Sequence, residues 1–230
     1  MILLVRPAEP DSLTRNRTQW TNRWINIRES GGTANWATPA AKSALRNPLL
    51  AFSRGKCAFC EERLRVTSYM EIEHYHAKTV QPALAFEWRN LFPACRICNG
   101  TKGELDYAGL LLRLDDEDPE PLLWLDQGTG ELEPHPSLAP EQARRVDETI
   151  KAYGLKRGEL CARRIEMIER INEWLASVEN QVDITPASDR EWKRIVDPYT
   201  PLKFVIRHVL ARRGQAQLAE VDRQAFLHQP

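Results

Sequence analysis

Apolar positions recur at helical spacing in several parts of the chain. Leu13, Trp20, Trp24 and Ile27 predict a helix from Asp11-Ser12, which can cap it, to about Glu29, where Gly31-Gly32 ends it. Pro39 to Phe52 predicts a second helix, with a break near Pro48. Glu141 to Tyr153 predicts another, opened by Pro140, closed by Gly154 and carrying Ala143, Val146 and Ile150 on one face. Glu159 to Val178 carries the longest stripe, Leu160, Ile165, Ile168, Ile171, Leu175 and Val178. Arg163, Arg164, Glu166, Glu169 and Arg170 form its wet face, and these two helices are expected to pack as a hairpin. Asp189 to Val196 and Leu202 to Arg213 are further helices, separated by Pro198 and Pro201.

Strand signals are short. Met1 to Val5 is apolar and reads as an edge strand stopped by Pro7 and Pro10. Ser68 to His74 reads as a strand with Tyr69, Met70 and Ile72 as its bulk. Pro121 to Leu125 and Glu131 to Pro134 flank a hairpin turn at Gln127-Gly128-Thr129-Gly130. The fold class is α+β, mainly helical. Three segments are expected: an N-terminal helical segment (1–50), a compact core (51–105), and a hairpin with a helical C-terminal region (106–230).

The candidate chemistry lies between Lys56 and Gly103. Two pairs, Cys57-Ala-Phe-Cys60 and Cys95-Arg-Ile-Cys98, each place two thiolates on one tight turn, as two vertices of a tetrahedral zinc ion require. Gly55 and Gly100 suit the sharp turns of such knuckles. A redox role for either pair is the rival. Cys161, in a helical pattern, reads as a small buried apolar residue. Between the pairs stand Glu73-His74, then His76, Lys78 and Asn90. Asn99 follows Cys98 and should open a short helix containing Lys102.

In this order the residues resemble the HNH endonucleases, whose ββα-metal motif has an acidic-His pair, a central Asn and a final His or Asn. The stretch CAFCEE…IEHYHAK…WRNLFPACRICNGTKG, the start Met1 to Pro10 with Leu13, and the run RRVDETIKAYGLKRGELCARR are similar to the HNH component of Septu-type and retron-linked anti-phage systems, the PtuB-like proteins. The resemblance implies a ββα-metal core stapled by a structural zinc at Cys57, Cys60, Cys95 and Cys98. It implies His74 as general base, a role suited to imidazole. It makes Glu73 and Asn99 ligands of a catalytic Mg²⁺ or Mn²⁺, for which oxygen donors are apt, and Asn90 an orienting residue. Asn99 stands where many such enzymes have histidine. His76, Lys78 and Lys102 are candidate substrate contacts, the alternative for each being a solvated surface charge. Anti-phage defence with an ATPase partner is implied by the resemblance alone; RNA cleavage, for example of tRNA, and a non-catalytic zinc adaptor are the alternatives.

Composition tempers that expectation. Lys plus Arg and Asp plus Glu both number 32, so the formal net charge is zero, unusual for a protein that binds DNA alone. The charge is uneven: +4 over residues 1–50, +2 over 51–105, +5 over 190–213 and −8 over 106–133. A partner that supplies DNA binding fits this balance. Hydrophobic residues at 42% and charged residues at 28% are ordinary for a soluble globular protein. No apolar run approaches a membrane span, no signal peptide is recognised, and five cysteines without a secretory signal suit the cytoplasm. The tryptophans read as core or interface anchors, and His208 as structural. No phosphate-binding glycine loop is present.

Overall fold

The computed structural model describes residues 1–64, 69–107, 109–178 and 190–227. Eight helices and two small sheets occur among them: α1 (Asp11–Glu29), α2 (Pro39–Phe52), β1 (Met70–His74), β2 (Leu91–Cys95), α3 (Arg96–Lys102), β3 (Leu123–Leu125), β4 (Leu132–Pro134), α4 (Pro140–Ala152), α5 (Gly158–Val178), α6 (Arg190–Val196), α7 (Lys203–Arg212) and α8 (Ala216–Leu227). The protein is thus α+β and mainly helical. No described helix is long and apolar enough to cross a membrane.

The sheet that matters most is β1 against β2, antiparallel, with Met70 opposite Cys95 and His74 opposite Leu91. All five residues of β2 are buried, which gives the thin sheet a covered centre. α3 leaves β2 directly, so the order here is strand, strand, helix. A two-stranded sheet is marginal by itself. Here α2 packs on β2, and Phe52, Phe59, Trp88 and Phe92 form a ring cluster beneath it. Arg6 seals the cluster: its guanidinium lies over Phe52, 4.3 Å from the ring centre, and donates to the carbonyls of Trp88 and Leu91.

Several expectations are corrected. Residues 1–5 form no strand; Leu4 N–H bonds to Leu114 O at 2.8 Å, and Met1, Ile2 and Leu4 are buried for their side chains. Helix α1 has Pro10, not Asp11 or Ser12, at its N-cap, with Asp11 in the first turn where the helix dipole favours it. α2 runs through Pro48 unbroken. β1 begins at Met70; Ser68, the expected start, lies outside the described residues, as does Asp189 at the expected start of α6. α3 opens at Arg96 rather than Asn99, because the Cys95 sulfur accepts from Cys98 N–H at 3.4 Å and caps the helix three residues early. Gly100 therefore sits inside a helix, while Gly55, at φ +70°, makes the turn before the first knuckle.

α4 and α5 do not pack as a hairpin. α4 lies on β4 and α3, and α5 lies on α7. The β3–β4 turn comes between them: at Gly130, φ +72°, a Cβ would stand 2.4 Å from Cys161 O. Arg164, expected on the wet face of α5, is buried and donates to Gly130 O (2.9 Å) and Leu155 O (2.8 Å). Cys161 is buried, as its pattern suggests. α8 carries a pattern too weak to predict; its Asp222 is fully buried against Lys203 and Arg207 of α7.

Candidate functional site

Two centres share the β1–β2–α3 unit. The first is the cysteine quartet. The sulfurs of Cys57, Cys60, Cys95 and Cys98 are all buried and lie within 4.8 Å of one another. The first pair sits on a turn closed by Cys57 N–H to Glu62 O, with Glu61 at φ +60°; Ala58 N–H to Pro93 O ties that turn to β2. The second pair spans the β2–α3 junction. Hydrogen bonds from the other three thiols pull Cys95 far below its ordinary range, whereas burial pushes Cys57 well above it. Arg157 lies 3.7 Å from the Cys98 sulfur. Four buried sulfurs at this spacing fit a tetrahedral soft-donor zinc site.

The second centre is a cavity of about 240 Å³ lined by Glu73, His74, Lys78 and Asn99, together with residues of the following loop and of α3. His74 Nε2 is 3.0 Å from Ala85 O. A carbonyl only accepts, so Nε2 carries the hydrogen and Nδ1 the lone pair. Burial, with the nearby Lys78 charge second, lowers the His74 pKa to about 3. The ring is therefore neutral near pH 7. Trp36 meets it edge-on, with ring centres 4.5 Å apart.

Glu73 is buried, and burial raises its pKa to about 7 although Lys102 opposes the shift. The Lys102 ammonium stands 2.6 Å from Glu73 Oε1 and donates to His74 O at 2.8 Å. Lys102 is itself 1% exposed. The structure thus corrects its expected surface location: the end of α3 points this side chain inward, where the charge offsets Glu73. Asn90 is buried and closes the loop after β1. Its Oδ1 accepts from His76 N–H (2.7 Å), and its Nδ2 donates to His76 O (3.0 Å) and Leu84 O (2.9 Å). His76 points elsewhere, 3.2 Å from Gln81 Nε2 and 3.4 Å from Asp106. It is not among the residues lining the cavity.

Glu73, His74, Lys78 and Asn99 are brought together, then, while Asn90 and Lys102 support them from behind. Glu71 went unnoticed in the sequence: it accepts from Asn99 Nδ2 at 2.6 Å. Period-two alternation puts it on the face of Glu73, a signal that could have found it. Trp36, Lys42 and Arg46 also border the site and carry no motif. Among the described residues, the cysteine quartet is the only group of three or more Cys, His, Asp or Glu close enough to hold a metal. A hard cation at the second centre would draw on Glu73, the Asn99 side-chain carbonyl, water and substrate oxygens.

The chain is similar to Septu protein PtuB. It is 40% identical over 107 residues to that protein of Bacillus thuringiensis, covering 46% of this chain and 38% of the relative. To the Septu protein PtuB of Bacillus mycoides (strain KBAB4) it is 29% identical over 160 residues, 56% of this chain and 52% of the relative. The chain spans about half, or less, of the length of these curated relatives. No family model matches it.

Proposed function

We propose that the chain is a metal-dependent HNH endonuclease that hydrolyses DNA phosphodiester bonds, acting as the nuclease of a prokaryotic anti-phage system with an ATPase partner in the cytoplasm. The observation that carries this is the meeting of Glu73, His74 and Asn99 in one cavity on a strand–strand–helix unit framed by four cysteines. The likeness to Septu protein PtuB supports the defence role and the PtuA-like partner.

In the reaction, the neutral His74 takes a proton from water at Nδ1. The water oxygen attacks phosphorus and the bond from phosphorus to the 3′ oxygen breaks, leaving a 5′ phosphate and a 3′ hydroxyl. Glu73 and Asn99 would hold Mg²⁺ or Mn²⁺, whose charge, when bound, offsets that of the pentacoordinate phosphorus. Ala85 O fixes the His74 tautomer, Asn90 holds the loop that follows it, and Lys102 offsets part of the cost of ionising the buried Glu73. Lys78, on the cavity wall, is placed to meet a phosphate oxygen.

The Glu73–Lys102 pair, complete without a cation, favours a second reading: a zinc adaptor that only docks another protein. Plasmid DNA with Mg²⁺ or Mn²⁺ separates the two. His74→Ala should stay folded by circular dichroism and lose about 10²–10⁴ in cleavage rate, the range for a general base. Equal cleavage by both proteins removes His74 from the mechanism. No cleavage by either, with the ATPase present, leaves the adaptor.

A further inference from the structure

A groove adjoins the cavity and shares Lys78 and Asn99 with it as walls. Its volume, about 330 Å³, is at the lower end of the range of small-ligand sites, about 300–1,000 Å³. Half of the remaining lining residues come from outside the cysteine-framed segment. Lys42 and Arg46, four residues apart on α2, share one face of the helix. Met70 and Ile72 of β1 and Trp36 line the same groove.

The cations are the telling feature. The chain has as many acidic as basic residues, and ion pairs are common across its surface. Lys42, Arg46 and Lys78 have no ion pair among the described residues, although Arg46 and Lys78 are half-buried. The groove's one acid, Glu71, is taken by Asn99. Glu104 and Glu73 attract the Lys78 charge, whereas the half-buried Arg46 has no ion pair, and its desolvation is a cost that an anionic ligand would offset. The other half of the groove is apolar, and Trp36 is fixed in orientation by His74 and Phe86. A duplex offers phosphates here but keeps its bases stacked. A nucleotide taken out of the stack offers both a phosphate and an apolar face.

We propose that this groove is a subsite for one unstacked nucleotide beside the scissile bond, its phosphate on Lys42 and Arg46 and its base against Trp36, Met70 and Ile72. The protein would then act on single-stranded or frayed DNA. This rests on the nuclease reading above.

The test uses the full chain in buffer without added Mg²⁺ or Mn²⁺, with a labelled single-stranded DNA oligonucleotide and its blunt duplex. Lys42→Ala with Arg46→Ala is compared with Arg15→Ala and Arg144→Ala, two exposed sites away from the groove that give the same net charge. Unchanged melting and zinc content certify both folds. The single strand should bind more tightly than the duplex. The groove variant should weaken it, and its plot of log affinity against log salt should be shallower by about 1.4, two contacts at about 0.7 each. The control variant should match the parent. Equal losses in the two variants, or none in the groove variant, overturn the subsite while plasmid cleavage still stands. Equal binding of duplex and single strand overturns the unstacked nucleotide. No binding together with no cleavage removes the nuclease reading and the subsite with it.

Discussion

At the scale of single residues, burial sets the protonation of the groups that matter. His208 packs against Trp124 and Phe204, and its Nε2 is buried without a hydrogen-bond partner among the described residues. Burial, then the Arg212 and His135 charges, lowers its pKa from 6.5 to about 4. Between these values the unfolded chain binds a proton that the folded chain refuses. Stability therefore falls as pH drops from about 6.5 toward 4, and this effect vanishes above about 6.5. His208→Phe should remove this share of the dependence and leave that of the buried His74. Urea midpoints of variant and parent should differ by a constant above pH 6.5, with the difference moving in favour of the variant toward pH 4.5. A parallel pair of curves throughout that range would refute the assignment. At this scale the sequence is informative about type and silent about surroundings. His74 and Asn90 stand out by order alone, and the structural role read for His208 fits its setting. That Lys102 would be buried against Glu73 depends on where α3 ends, which no local pattern states.

At the scale of elements, the cysteines do more than offer sulfur. Cys95 caps α3, and both knuckles grip β2, so the cysteine quartet and the strand–strand–helix unit share a backbone. Cys98→Ser should abolish stoichiometric zinc and cooperative melting of this unit, since structural zinc is worth roughly 10–16 kcal/mol in small fingers. Metal analysis beside calorimetry decides; an unchanged zinc content and melting profile would end the staple assignment. The β3–β4 turn makes a different demand. Gly130→Ala meets both an unfavourable φ and the Cys161 carbonyl, and should cost about 2–4 kcal/mol by denaturant unfolding. Loss under 1 kcal/mol would mean that the turn yields. Helix extents were legible to within a few residues because Pro, Gly and apolar spacing are local signals. The packing of α4 and α5 was not, since the Gly130 turn wedged at Cys161 comes from a segment about thirty residues earlier. Arg164 misled for the same reason: charge in a helical pattern implies water unless distant carbonyls wait for it.

At the scale of the whole molecule, the C-terminal helices are held by a buried charge network. Asp222 of α8 joins Lys203 (2.5 Å) and Arg207 (2.7 Å) of α7, and Arg207 continues to Glu120. Asp222→Ala leaves the buried Lys203 without its carboxylate and Arg207 with Glu120 alone, and should cost about 3–5 kcal/mol. Equilibrium unfolding measures it, and a loss below 1 kcal/mol would show that water reaches the network. Such long-range pairing is invisible along the chain, which is why α8 went unpredicted. The groove beside the Glu73–His74 cavity was hidden likewise. Its cations stand on α2, its apolar wall on β1, and only the folded chain brings them together.

Lys56 gives this architecture a chronology. Its ammonium is buried one residue before the first knuckle and donates to Pro198 O (2.7 Å) and Thr200 O (3.2 Å), and burial lowers its pKa to about 7. During synthesis all four cysteines are made about a hundred residues before those carbonyls exist, an interval of about 5–20 s at ordinary translation rates. In that interval Lys56 is still in water and fully charged. A metal captured in that interval would enter a knuckle whose neighbouring charge is solvated, and residues 198–200 draw that charge inside only once they exist.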